Sequence, residues 1–449
     1  MNLTNLISEN WMRFRKSETG GRLSKAVVWG GIATILGRGL PVAGMMFTAR
    51  VLGPSMFGKL TLLYSTAVAF GIFAVAGLGT TCTKFVADFH RKEPIRAGRL
   101  IDLANLVSAI TALLIGGFIV SVGPWFARVV LAAPDLSGEL YWCAALTVVL
   151  AFSSIQQGIL IGYEAFRAVA LIELVGGVAI LILVPSGGMM YGIKGAFIGM
   201  GLGYGLKLIV QHLIVARQTS ERGIPRRWTL PVSELPVLWQ FSLPTMLNGL
   251  LWGPVTWISL AIVSHQTNGH AEVGIFNAAN QWFSFLLFLP SIITQVSFPI
   301  LSERLNAGAT SAAWRLFYGK VLATMGIVTP IVLAIIALSP FIMAFYGPAY
   351  SQQGPVLIVV AIASWLAAPQ GFIGNLFFAH AKPWSWFVAS MVWAGCLLLT
   401  VAIFRDYGAL ALAWGNVAAY GVRGLFSLVQ IYQLRAERWA FFGKLAEGE

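Results

Sequence analysis

Long apolar stretches alternate with short polar ones along the whole chain. Each is long enough to cross a hydrocarbon core of about 30 Å as a helix of roughly 20 residues. The pattern predicts twelve spans, at 26–48, 58–81, 101–122, 140–162, 168–185, 194–215, 238–263, 273–299, 317–342, 355–379, 384–404 and 409–433. Lipid offers backbone polar groups no partner, and the stretches lack the two-residue alternation of a barrel strand, so the spans are expected to be helices. Ahead of them, Leu3, Leu6, Ile7, Trp11 and Phe14 share one stripe beside Arg13, Arg15 and Lys16, which predicts a short helix lying on the membrane surface.

The spans fall into two sets of six. The stretch ARVLGPSMFGKLTLLYS, from Ala49 to Ser65, returns 216 positions later in altered form, with Gly53 matching Gly269 and Gly58 matching Gly274. The same offset pairs Gly37 with Gly253, Pro124 with Pro340, Gly199 with Gly415, Tyr204 with Tyr420, Gly205 with Gly421 and Lys207 with Arg423. A register that persists this far argues for two copies of one unit. Six is even, so both copies start on the same side and form parallel repeats enclosing a cleft. The expected organisation is an amphipathic amino terminus (1–25), a six-helix bundle (26–215), a linker (216–237), a second bundle (238–433) and a tail (434–449).

Composition removes several alternatives. With 57% hydrophobic and 10% charged residues and a mean hydropathy of +0.78, this is a polytopic membrane protein and not a soluble one. The net charge of +13 would suit nucleic acid, but the basic residues follow membrane sidedness instead. They crowd the segment before span 1, the loop with Arg91, Lys92, Arg96 and Arg99, and the linker; the other side holds only Arg50, Lys59, Arg128, Lys194 and Arg405. Positive charge stays inside, so both termini are expected in the cytoplasm. Three cysteines and five histidines show no disulfide or metal spacing. No phosphate-binding GxxxxGK[ST] loop appears, and no loop is large enough for a catalytic domain, so neither an enzyme nor a cofactor is expected.

Charges inside spans carry the functional information, because an Arg or Lys at the bilayer centre costs about 2.5–3.5 kcal/mol. Arg38 lies about 18 Å into its span; it either lines a lumen or bonds carbonyls freed by Pro41. Lys207 and Arg423 hold equivalent places in spans 6 and 12, each on a polar stripe: Tyr204, Lys207 and Gln211 in one, Asn416, Tyr420, Arg423, Ser427 and Gln430 in the other. They either face a common lumen or snorkel to the surface. Glu173 and Asp102 are candidate coupling carboxylates, with local pairs to Arg167 or Lys207 and to Arg99 as the alternative. Asn105, Gln156, Asn277 and Asn280 lie on further polar stripes and, with Tyr204, Tyr420 and Asn416, either contact sugar hydroxyls or join helices. A lumen with three cations and few acids suits an anion. Pro41 and Pro254 mark spans 1 and 7 as the irregular pair, hence the expected moving gate.

ARVLGPSMFGKLTLLYS, GLGTTCTKFVA from Gly77 to Ala87, SFPILSERL from Ser297 to Leu305 and FYGPAY from Phe345 to Tyr350 resemble the polysaccharide transporter branch of the multidrug/oligosaccharidyl-lipid/polysaccharide flippase superfamily. The resemblance implies an all-α, twelve-helix, V-shaped bundle like that of the multidrug and toxin extrusion (MATE) transporters, in a bacterial cytoplasmic membrane. It implies transport of undecaprenyl-diphosphate-linked oligosaccharide to the outer leaflet, with Arg38, Lys207 and Arg423 as candidates for a cation-lined lumen. A proton or sodium ion would supply coupling, and a polysaccharide polymerase and a chain-length regulator would be partners, besides the membrane lipids. The alternative is a MATE-type multidrug or cation antiporter of the same superfamily. A cationic drug needs buried carboxylates, which this chain hardly supplies.

Overall fold

The computed structural model describes residues 18–75, 77–226, 232–243, 246, 251–288, 290–291, 293–294, 301, 305, 310–380 and 382–447. The surface helix expected over the first residues lies outside the described residues. So does the side chain of Arg38. The described residues are helical almost throughout and contain no strand. Each of the twelve apolar stretches is helical over most of its described part, and seven helical segments among the described residues are long and apolar enough to cross a membrane.

Two of the longest helices carry two spans each. α1 (Glu18–Val75) is interrupted at Gly53, with φ 71° and ψ 170°. A side chain there would be strained, which is why the turn in the first copy opens on glycine. α5 (Phe166–Glu221, after α2 to α4 below) breaks at Tyr191 and Gly192. Between them come α2 (Leu78–Phe89), α3 (Pro94–Val129) and α4 (Glu139–Gly162). Beyond the linker follow α6 (Trp252–Ser264), α7 (Gly269–Leu286), α8 (Thr310–Phe345), α9 (Gly354–Ala367), α10 (Gln370–Ala379), α11 (Pro383–Ile403) and α12 (Ala409–Glu447).

The breaks correct the sequence reading in three places. Span 2 is not continuous over 58–81: it stops at Val75, and α2 starts afresh after Gly77, whose φ is 73°. Span 10 divides between α9 and α10 at Pro369, whose ring cannot continue the hydrogen-bond ladder. The irregularity expected of span 1 at Pro41 is absent, while span 7 is irregular, with a π-helix at Leu238–Ser242 and α6 beginning only at Trp252. α1 runs through Pro41, and Pro254 sits in the first turn of α6, where a missing N–H costs nothing.

The chain divides into two compact units, Met1–Val51 with Leu63–Leu250, and Leu52–Leu62 with Leu251–Glu449. In the first, Leu78, Ile101, Ile155, Ile159 and Ile172 from four helices form one buried cluster. In the second, Phe317, Phe372, Phe377 and Ile431 do the same. The second unit also contains the repeated turn in both copies, and there they meet. A Cβ on Gly58 would strike the His270 carbonyl and one on Gly274 the Pro54 carbonyl. Equivalent glycines therefore let the two backbones touch reciprocally.

Candidate functional site

α12 carries Asn416, Tyr420, Arg423, Ser427 and Gln430, and the centre of that stripe is Arg423, whose side chain is wholly enclosed at 0% exposure. Its guanidinium lies 3.9 Å from the ring centroid of Trp386 on α11 and 5.4 Å from that of Trp252 on α6. Nη2 donates to Ser390 Oγ at 3.1 Å, and Ser390 in turn donates to the Trp386 carbonyl at 2.9 Å. Nε and Nη1 have no hydrogen-bond partner among the described residues. Among the described residues no carboxylate forms an ion pair with it.

The rest of this pocket is aromatic and polar. Trp252 packs on Trp393 at 4.4 Å, and Tyr420 completes the group at 5.9 Å from Trp393 and 5.6 Å from Phe283. Trp386 is seated by Gly374, where a Cβ would come within 2.9 Å of the indole. Ser427 Oγ, Gln430 Oε1 and Gln370 Oε1 are buried without hydrogen-bond partners among the described residues, and Gln370 reaches this helix through the Tyr420 carbonyl. A cation–π contact stabilises a desolvated guanidinium by about 2 kcal/mol. Each unmatched buried donor costs about 1–3 kcal/mol. Two rings and one hydroxyl therefore leave Arg423 short of compensation, and an anion would supply what is missing.

The first unit treats its equivalent lysine differently. Lys207 Nζ donates to both carboxylate oxygens of Glu173, at 2.7 and 2.9 Å, with both side chains largely buried. One turn away, Tyr204 shares a hydrogen bond of 3.0 Å with Tyr64 across stacked rings. Asp102 is buried and pairs with Arg226 of the linker, not with Arg99 as its neighbourhood in the chain suggested. Arg96 and Arg99 bind Glu234 instead, at 3.2 and 3.4 Å. Linker residues thus close on the mouth of α3, a pairing that sequence separation hid.

The uncharged candidates are mostly turned inward on their own helices. Asn105, Asn277 and Asn416 each donate to the carbonyl four residues earlier, at 2.7, 2.9 and 2.9 Å. Asn280 is half-buried on α7. Gln156 contacts His212 at 3.5 Å. The structure thus brings Tyr420 together with Arg423, and Tyr204 and Glu173 with Lys207, each group in its own unit. Trp386 and Ser390 were not singled out in the sequence. The signal that could have found them is the repeat itself: Ala170 and Leu174 occupy the corresponding places in the first copy. No group of His, Cys, Asp and Glu among the described residues could hold a metal ion.

Residues 23–305 match the family described as Polysaccharide biosynthesis protein. The EPS I polysaccharide export inner membrane protein EpsE of Ralstonia solanacearum is 24% identical over 417 residues, covering 89% of this chain and 93% of that protein. The Lipid III flippase of Escherichia coli K12 is 22% identical over 294 residues, covering 63% of this chain and 67% of its own. Among solved structures, the inward-facing conformation of a multidrug resistance MATE family transporter of the MOP superfamily superposes with a TM-score of 0.69. It is 16% identical, with 92% of this chain and 99% of that one covered. The MATE-like all-α fold expected from the sequence is therefore the fold observed.

Proposed function

The chain belongs to the polysaccharide biosynthesis protein family, and from that premise we propose that it moves undecaprenyl-diphosphate-linked oligosaccharide across the bacterial cytoplasmic membrane by alternating access. It is a multi-pass membrane protein of the flippase superfamily, a transporter and not an enzyme. In the proposed orientation both termini are cytoplasmic, as the distribution of Lys and Arg favours.

The observation that supports the cargo is the enclosed guanidinium of Arg423, which has two unmatched nitrogens and no carboxylate among the described residues. A planar guanidinium offers paired donors to phosphate oxygens, and a diphosphate carries the charge this pocket lacks. Because Trp252 and Trp386 cover the cation, a ring must swing aside before the head group reaches it. The Tyr420 and Ser427 hydroxyls can then donate to its oxygens, and the unmatched Oε1 atoms of Gln370 and Gln430 can accept from sugar hydroxyls. Lys207 is already neutralised, which suits it to coupling: a proton delivered to Glu173 releases the lysine, with a proton gradient as the energy source. A polymerase and a chain-length regulator are the partners that would use the delivered cargo.

An antiporter of cationic drugs is disfavoured. A cationic drug needs free buried carboxylates, and Asp102 and Glu173, the two candidate coupling carboxylates, are each held by a cation.

The test is complementation in a strain lacking the protein. Arg423→Ala, present at wild-type level, should fail to restore surface polysaccharide, and Arg423→Lys should restore part of it. Full restoration by Arg423→Ala removes the site from the proposal.

A further inference from the structure

The two rings that cover the Arg423 guanidinium are held unequally. Trp386, at 3.9 Å, is wedged in place: a Cβ on Gly374 would come within 2.9 Å of its indole, and the wholly buried Phe377 lies 6.4 Å away between ring centroids. Trp252, at 5.4 Å, is 40% exposed. Of the two, Trp252 is the ring with room to move.

That exposure opens on the inner side of α6. Val255, Ser259 and Val263 follow Trp252 at three, seven and eleven residues, a spacing that keeps all four on one stripe of the helix. The other three are buried. The exposed apolar residue further along α6 is Ile258, about a third of the way round the helix from that stripe. Trp252 thus stands on the buried side of its helix with much of its indole uncovered. Trp393, itself buried, backs it at 4.4 Å between centroids with the planes 30° apart, so the ring has a firm support.

An aromatic face carries partial negative charge. It attracts a cation and, in the same way, the weakly positive C–H bonds of a sugar ring. When a diphosphate takes the guanidinium, the part of the indole that had served Arg423 is released beside the anion. The group joined to that anion in the proposed cargo is a sugar. We infer that Trp252 is a specificity-determining residue that exchanges its contact with Arg423 for stacking against the first pyranose of the oligosaccharide. A glucopyranose suits it, because its hydroxyls are equatorial and its faces present C–H bonds. The inference rests on the assignment of Arg423 as the diphosphate site.

Two probes of equal charge test it, the methyl ester and the glucosyl ester of farnesyl diphosphate, with affinities measured on the purified full chain. The wild type should bind the glucosyl ester about fivefold more tightly, the value of one aromatic contact. Trp252→Leu, with an unchanged unfolding temperature, should bind both probes alike, and Trp252→Phe should keep part of the preference. If Trp252→Leu does not fold, Trp252→Met serves, with the same expectation. Arg423→Gln should weaken both probes by the same factor. Equal affinity of the wild type for the two probes, or an undiminished preference in folded Trp252→Leu or Trp252→Met, overturns the role of Trp252 and leaves the Arg423 site standing. Wild-type affinity of Arg423→Gln for both probes overturns the diphosphate site, and this inference with it.

Discussion

Lys207 and Arg423 stand at the same register of two copies of one unit, 216 positions apart, and their surroundings are opposite. Lys207 is gripped by both oxygens of Glu173, whereas Arg423 has, among the described residues, aromatic rings, one serine and two unmatched nitrogens. The repeat explains how the difference arose. The position matching Glu173 is Ala389, and the position matching Trp386 is Ala170. One copy places a carboxylate where the other has a methyl group, and the second places an indole where the first has none. A cation retained in both copies thus became a closed ion pair in one bundle and an open charge in the other.

Removing the carboxylate from the closed site should have the largest effect. Glu173→Ala leaves a buried ammonium alone and should destabilise the protein by about 3–5 kcal/mol, seen as a lowered unfolding temperature in detergent. The double variant Glu173→Leu with Lys207→Met should recover most of that loss. If Glu173→Ala is as stable as the wild type, the pair is not buried as described.

Making the open site resemble the closed one comes next. Ala389→Glu places a carboxylate at the Glu173-equivalent position beside Arg423, and should weaken binding of a soluble isoprenyl diphosphate by roughly 10–100-fold, the value of a charge-assisted hydrogen bond or two. Unchanged affinity in a folded Ala389→Glu protein means that Arg423 does not hold the anion.

Much of the fold was legible, because hydropathy directly reports the length of chain that lipid will accept. The twelve apolar stretches are helical over most of their described parts, and the 216-residue offset paired the two glycines, Gly58 and Gly274, whose backbones are found to touch. The breaks were less legible. Proline at Pro41 and Pro254 drew attention, yet α1 absorbs one inside a helix and α6 places the other in its first turn. Positive φ at Gly53 and Gly77 does the interrupting, and many glycines elsewhere in the chain look the same.

In the candidate site, the pairing of Lys207 with Glu173 could be named from the chain, because both lie in adjacent spans. The pairing of Asp102 with Arg226 could not, since 124 residues separate them and Arg99 was nearer. The cage around Arg423 was invisible for a similar reason. Trp252, Trp386 and Tyr420 come from three helices, and no periodicity within one helix connects them.

A smaller effect sharpens the same contrast. Trp386→Leu should keep the charge of Arg423 but remove its closest ring, worth about 0.5–2 kcal/mol. Transport or binding should change by about thirtyfold or less, and the accompanying change in unfolding temperature should be slight. An effect as large as that of Arg423→Ala would make the indole, and not the guanidinium, the principal contact.

The most direct measurement is the affinity of the purified protein for farnesyl diphosphate, taken for the wild type, Arg423→Gln, and the folded double variant Glu173→Leu with Lys207→Met. The open-charge account predicts at least tenfold weaker binding for Arg423→Gln and wild-type affinity for the double variant. Equal binding by wild type and Arg423→Gln, or an equal loss in both variants, would contradict it.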